Sequence, residues 1–158
     1  MNAKNYIMNK HETWRTIHTQ FGHLQISSLH GKHEAAENIK VARFLANNLG
    51  HSIFLLACSP KLKSPDSKNA TLNIVQEYKV NRTPSKSAID NELRDAAKQS
   101  DYIVLWIDSN ISQTDLERGI KGRTVWAKNI KEIWVIANFE ITMLSREQIL
   151  QSDFTISK

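Results

Sequence analysis

Pro65-Asp66 is followed, after a spacer of ten residues, by Glu77-Tyr78-Lys79. Residues 70–80 alternate in polarity as a β-strand does, so Glu77 and Lys79, two apart, leave the same face. Val75 shares that face, and Leu72, Ile74, Gln76 and Tyr78 take the other. An acid and a lysine on an otherwise apolar face are costly to bury unless each is paired or meets a metal. Two carboxylates, Asp66 and Glu77, suit Mg²⁺ or Mn²⁺, hard cations that prefer oxygen ligands. Such an ion polarises a phosphoryl oxygen and acidifies a water, while Lys79 can orient that water or offset growing negative charge. The chemistry these three residues suit is metal-assisted phosphodiester hydrolysis. The competing reading is an edge strand with a surface Glu and Lys.

Stepping outward from this trio, residues 33–49 carry Ala35, Ile39, Ala42, Leu45, Ala46 and Leu49 on one stripe, which predicts an amphipathic helix stopped at Gly50. Residues 52–57 form a short apolar run suited to a buried strand, and 59–69 are rich in turn residues and basic charge. A second helix is expected from Thr83-Pro84 to about Ser100, with Ile89, Leu93, Ala96 and Ala97 on its apolar face. Strands follow at 102–107 and 132–137, separated by a short helix over 112–122, and Ser145-x-x-Gln148 predicts a capping box for a small last helix. In the first thirty residues, Ile7, Trp14 and Ile17 suggest one face of a short helix, and Leu24-Gln25-Ile26 a short strand. The order predicts an α/β fold with a mixed central sheet flanked by helices. The expected organisation is an N-terminal extension, 1–31, on one domain, 32–158, within a single globular unit.

The composition agrees with such a domain. The chain has 158 residues, 41% hydrophobic and 23% charged, enough for a core without staples. Cys58 is its one cysteine, so no internal disulfide forms, which fits a cytoplasmic place of action. No apolar run approaches the ~20 residues of a membrane span, and the first fifteen residues lack the apolar core of a signal peptide. Lys and Arg exceed Asp and Glu by 21 to 16, a mild bias toward polyanionic partners.

Pro65-Asp66 and Glu77-x-Lys79, set between a helix–strand pair and a second helix–strand pair, resemble the PD-(D/E)XK nuclease superfamily over about residues 32–137. The resemblance implies a restriction-endonuclease-like αβββαβ core and divalent-metal catalysis. The chain is also similar to the C-terminal nuclease domains of contact-dependent growth inhibition toxins, in the order of a helix bearing Glu34 or Glu37, Gly50-His51 before an apolar strand, the Pro-Asp and E-x-K groups, and Ala96-Ala97-Lys98-Gln99-Ser100. That likeness implies a ribonuclease, with tRNA favoured over DNA, delivered into a target cell and acting in its cytoplasm. It also implies a cognate immunity protein. Whether the chain stands alone or ends a larger toxin is left open. A DNA endonuclease of the same fold, in repair, restriction or a mobile element, and a non-catalytic binding or immunity protein are the alternatives.

Two further site positions follow. At 100° per residue, Glu34 and Asn38 project to the buried side of the first helix, and Glu37 nearer its edge. Glu34 is the first choice for a further metal ligand and Glu37 the alternative; a surface acid favoured by the helix dipole is the competing reading. Gln99 resembles the glutamine that follows E-x-K in several branches of the superfamily, where it would orient water or contact phosphate; a plain exposed Gln competes. Lys61, Lys63 and Lys68 around Asp66, and Arg118, Lys121 and Arg123 around Gly119 and Gly122, could grip phosphates, against a merely solvated basic surface. His30-x-x-His33 lacks the partners of a zinc site, although a histidine in a metal-free ribonuclease remains a competitor. Trp106 and Trp134 read as core, Trp14 and Trp126 as freer to stack on a base, and Cys58 as a buried, inert thiol.

Overall fold

The computed structural model describes residues 11–31, 35–59 and 64–156. They form one mixed eight-stranded sheet in which each strand lies beside its neighbour in the chain. The strands are β1 (Trp14–His18), β2 (His23–Ser27), β3 (Ser52–Leu55), β4 (Ser67–Asn69), β5 (Ile74–Asn81), β6 (Tyr102–Ile107), β7 (Glu132–Ala137) and β8 (Glu140–Ser145). The helices are α1 (Ala35–Leu49), α2 (Lys86–Ala97), α3 (Gln113–Trp126) and α4 (Arg146–Leu150). β2 and β3 are parallel and joined through α1; β5, β6 and β7 are parallel and joined through α2 and α3. The other neighbours are antiparallel. From α1 to β6 the element order is αβββαβ, within the expected α/β fold. No described helix is long and apolar enough to cross a membrane.

Two cores separate the layers because side chains alternate across each strand. On one face, Tyr78, Val104, Trp106, Trp134 and Ile136 pack with Val41, Ala42, Leu45 and Ala46 of α1. On the other, Ile103, Leu105, Ile133 and Val135 pack with Ile89, Leu93 and Ala96 of α2 and Leu116 and Ile120 of α3. α2 and α3 begin where Ser85 and Ser112 accept the N–H groups of Ala88 and Asp115, and α4 begins with the full Ser145–Gln148 capping box. Gly50 ends α1 with φ 68°, a backbone that costs glycine little.

Several expectations change. Trp14 and Ile17 lie on β1, not on a helix; Thr19 and Gly22 close a turn that pairs this strand with β2. Their spacing of three suits a helical face, but β-branched Thr16 and Ile17 suit an edge strand as well. Ile7 lies outside the described residues. Residues 14–27, expected in an extension, build the first two strands of the common sheet. The strand expected over 70–80 starts at Ile74, after a turn containing Asn73 at φ 55° and exposed Leu72. Inside the expected 59–69 loop lies the short strand β4. α3 continues past Gly122 to Trp126, and a further strand, β8, pairs antiparallel with β7.

Candidate active site

β4 is only three residues long, and Asp66 directly precedes it, tied back to β3 by the Leu56 N–H, which donates to the Asp66 carbonyl at 2.9 Å. The Asp66 side chain is 6% exposed. One carboxylate oxygen accepts the Tyr78 backbone N–H of β5 at 2.8 Å, and the other accepts Asn38 Nδ2 of α1 at 2.9 Å. His30 extends the chain of contacts: its Nδ1 lies 2.6 Å from the Leu56 carbonyl and its Nε2 3.1 Å from Asn38 Nδ2. A neutral ring protonated at Nδ1 satisfies both contacts, a tautomer assigned from the network. Asp66 is thus held from three directions while both oxygens keep acceptor capacity.

Glu77 approaches from the α2 side and is 2% exposed. Its Oε1 accepts Lys79 Nζ at 2.8 Å and Gln99 Nε2, from just beyond α2, at 2.8 Å. Its Oε2 is buried without a hydrogen-bond partner. Burial, helped by the negative charge of Asp66, pushes the Glu77 carboxyl up to about 7, and Lys79 opposes that rise. Farther along the same strand face, Asn81 donates to one oxygen of Glu92 at 3.2 Å, the other oxygen being buried and unpaired. Burial raises the Glu92 carboxyl, against the pull of Asn81 and Lys79.

The structure therefore brings Asp66, Glu77, Lys79 and Gln99 together. It does not bring Glu37 to them. The Glu37 carboxylate is ion-paired with Arg82, the residue that follows β5. Glu34, Lys61 and Lys63 lie outside the described residues. Lys68 is exposed on β4, two residues from Asp66. The second basic group belongs to α3: Arg118 is exposed, Lys121 Nζ donates to the Gln151 carbonyl, and Arg123 grips Asp90 of α2 through two hydrogen bonds. Arg123 thus bridges α3 to α2, and Lys121 is tied to the segment after α4.

The Glu77 oxygen that lacks a hydrogen-bond donor fits a cation. A Mg²⁺ or Mn²⁺ site needs one or two carboxylates and completes its shell with water or phosphate, and Asp66 with Glu77 Oε2 offers such an oxygen pair. Among the described residues no group of three His, Cys, Asp or Glu gathers around one point. His30 is no zinc ligand, since both ring nitrogens are already engaged; His33 lies outside the described residues. Cys58 is exposed rather than buried, with its sulfur accepting the Gly31 N–H at 3.2 Å. Asn38 and His30 are the site residues whose roles sequence reasoning missed. The signal for Asn38 is its place on the buried stripe of α1, where a polar residue must find a partner; the His30-x-x-His33 spacing points to zinc and not to the contact of His30 with Asn38.

No family model matches the chain, and no curated protein matches it. One solved structure does: a chain of the CdiA-CT/CdiI toxin and immunity complex from Burkholderia pseudomallei. The match has a TM-score of 0.52 and 21% identity, and covers 72% of this chain and 85% of that one. The two chains share a fold.

Proposed function

We propose that this chain is a Mg²⁺- or Mn²⁺-dependent endonuclease that hydrolyses phosphodiester bonds in RNA, tRNA being the favoured substrate. The observation that carries the reading is the buried Asp66–Glu77 pair beside Lys79, with one Glu77 oxygen left without a partner. Buried acids held together with a perturbed carboxyl are a mark of functional sites. Asp66 and Glu77 Oε2 would hold the ion, which supplies a Lewis acid at the scissile phosphate. Asn38 and the Tyr78 N–H fix Asp66, and Gln99 fixes the other oxygen of Glu77. Lys79, bonded to Glu77, would orient the attacking water and offset negative charge as it grows on the phosphate.

The described complex of a toxin with its immunity protein supports a further reading: this chain acts as a toxin domain inside a target cell and is neutralised by a cognate immunity protein covering the acid pair. Incubating the purified chain with total tRNA and with plasmid DNA, with Mg²⁺ or EDTA, tests the proposal. Mg²⁺-dependent cleavage of tRNA that is lost in Glu77→Gln is expected. Cleavage of plasmid alone refutes the RNA substrate, and no cleavage of either with Mg²⁺ or Mn²⁺ refutes catalysis.

A further inference from the structure

At the C-terminal ends of β6 and β7, an open cavity of about 520 Å³ is lined by Lys40, Trp106, Asp108, Asn110, Asn138 and Phe139, among others. Phe139 sits at the tip of the β7–β8 hairpin and is 75% exposed. Its φ is 62°, and that of Asn138 is 50°. A two-residue turn of this kind favours glycine at its second position, and a bulky side chain there strains the backbone. The ring nevertheless stands edge-on to Trp106 with centroids 6.3 Å apart, and Lys40 Nζ lies 4.4 Å from the centroid of Trp106.

Flat aromatic surface, a cation and side-chain amides and carboxylate around one opening match the needs of a nucleobase: a face to stack on and groups for its polar edge. Lys40 and Arg43, three residues apart and both exposed on α1, add positive charge for the adjoining phosphates. The exposed apolar element is one ring set among polar groups, which suits a base better than a broad protein interface. Trp106, in the cavity wall, belongs to the α1 face of the sheet, whereas Glu77 of the neighbouring strand β5 faces α2. Trp106 is paired with Val80, two residues beyond the Tyr78 N–H that holds Asp66. Standard strand spacings place Trp106 and Tyr78 about 8 Å apart at the backbone.

We propose that this cavity is a subsite for one unstacked base of a single-stranded RNA segment, with Phe139 as its stacking surface. The inference rests on the nuclease reading and adds to it that the substrate is engaged at an unpaired region. Phe139→Gly removes the ring and suits the left-handed backbone, so the variant should keep the wild-type melting temperature. Fluorescence anisotropy in EDTA, where no cleavage is expected, compares both proteins on a labelled 12-nucleotide single-stranded RNA and on a blunt RNA duplex. About tenfold weaker single-strand binding by Phe139→Gly is expected, from the ordinary strength of base–aromatic stacking, with duplex binding unchanged. Equal single-strand binding by the two proteins overturns the subsite, as does the absence of single-strand binding by the wild-type chain. An equal loss on both RNAs overturns it too, since a duplex offers no unstacked base. The nuclease reading is judged separately, by Mg²⁺-dependent cleavage and its loss in Glu77→Gln.

Discussion

Replacing Glu77 by Gln should stabilise the fold at alkaline pH while abolishing cleavage. In the folded chain the Glu77 carboxyl rises from 4.5 to about 7, chiefly because it is buried and secondarily because Asp66 is beside it. Folding therefore favours the protonated acid. The penalty is absent below about pH 4.5, where both states are protonated, grows as pH rises, and is complete above about pH 7. A rise of this size corresponds to about 3 kcal/mol. Glutamine keeps the shape and the polar contacts but never ionises. The attraction of Lys79 for the ionised acid is already contained in that net rise. The net expectation is a gain of about 3 kcal/mol at pH 8 that vanishes near pH 4.5. Urea unfolding in EDTA, followed by the fluorescence of the four tryptophans, measures it in both proteins at the two pH values. A variant whose stability relative to wild type is the same at both would refute the reasoning about the acid pair.

Asp66→Asn should lower cleavage by at least about a hundredfold, the scale of losing a charge-stabilising group at a reaction centre, with circular dichroism unchanged; near-wild-type rates in a single-turnover assay would remove Asp66 from the site. Asn38→Ala leaves Asp66 short of a donor and should destabilise the fold by about 1–3 kcal/mol, read by urea unfolding. Arg123→Met should cost stability by about 1–3 kcal/mol through loss of its two bonds to Asp90, yet leave the cleavage rate per folded molecule as in wild type. Gly119→Ala would set a methyl 2.7 Å from Ile89 Cβ at the α2–α3 contact and should lower stability by about 1–3 kcal/mol, visible as a reduced melting temperature.

Much of the scaffold is written locally. Residues 102–107 and 132–137 are strands with the expected limits because continuous apolar runs of that length suit buried parallel strands. Strand geometry alone puts Glu77 and Lys79 on one face, and the Ser145–Gln148 pattern marks its helix start. The rest depends on contacts between distant segments. β4 is Ser-Lys-Asn, three polar residues that become a strand only because β3 and β5 lie on either side. β8 escaped notice because its hairpin turns on Asn138-Phe139 rather than Asn-Gly. The pairing of Glu37 with Arg82 depends on how α1 crosses the end of β5, which no periodicity reports. His30 joins Asn38 and Asp66 through residues 8 and 28 positions apart in the chain.

The central claim, that Asp66 and Glu77 form a divalent-metal centre, is tested most directly by anomalous diffraction from crystals of the chain grown or soaked with Mn²⁺. The account predicts an anomalous peak within bonding distance of an Asp66 oxygen and Glu77 Oε2 in wild type, absent in Glu77→Gln. Mn²⁺ bound elsewhere, or an acid pair left without the ion at saturating Mn²⁺, would contradict it.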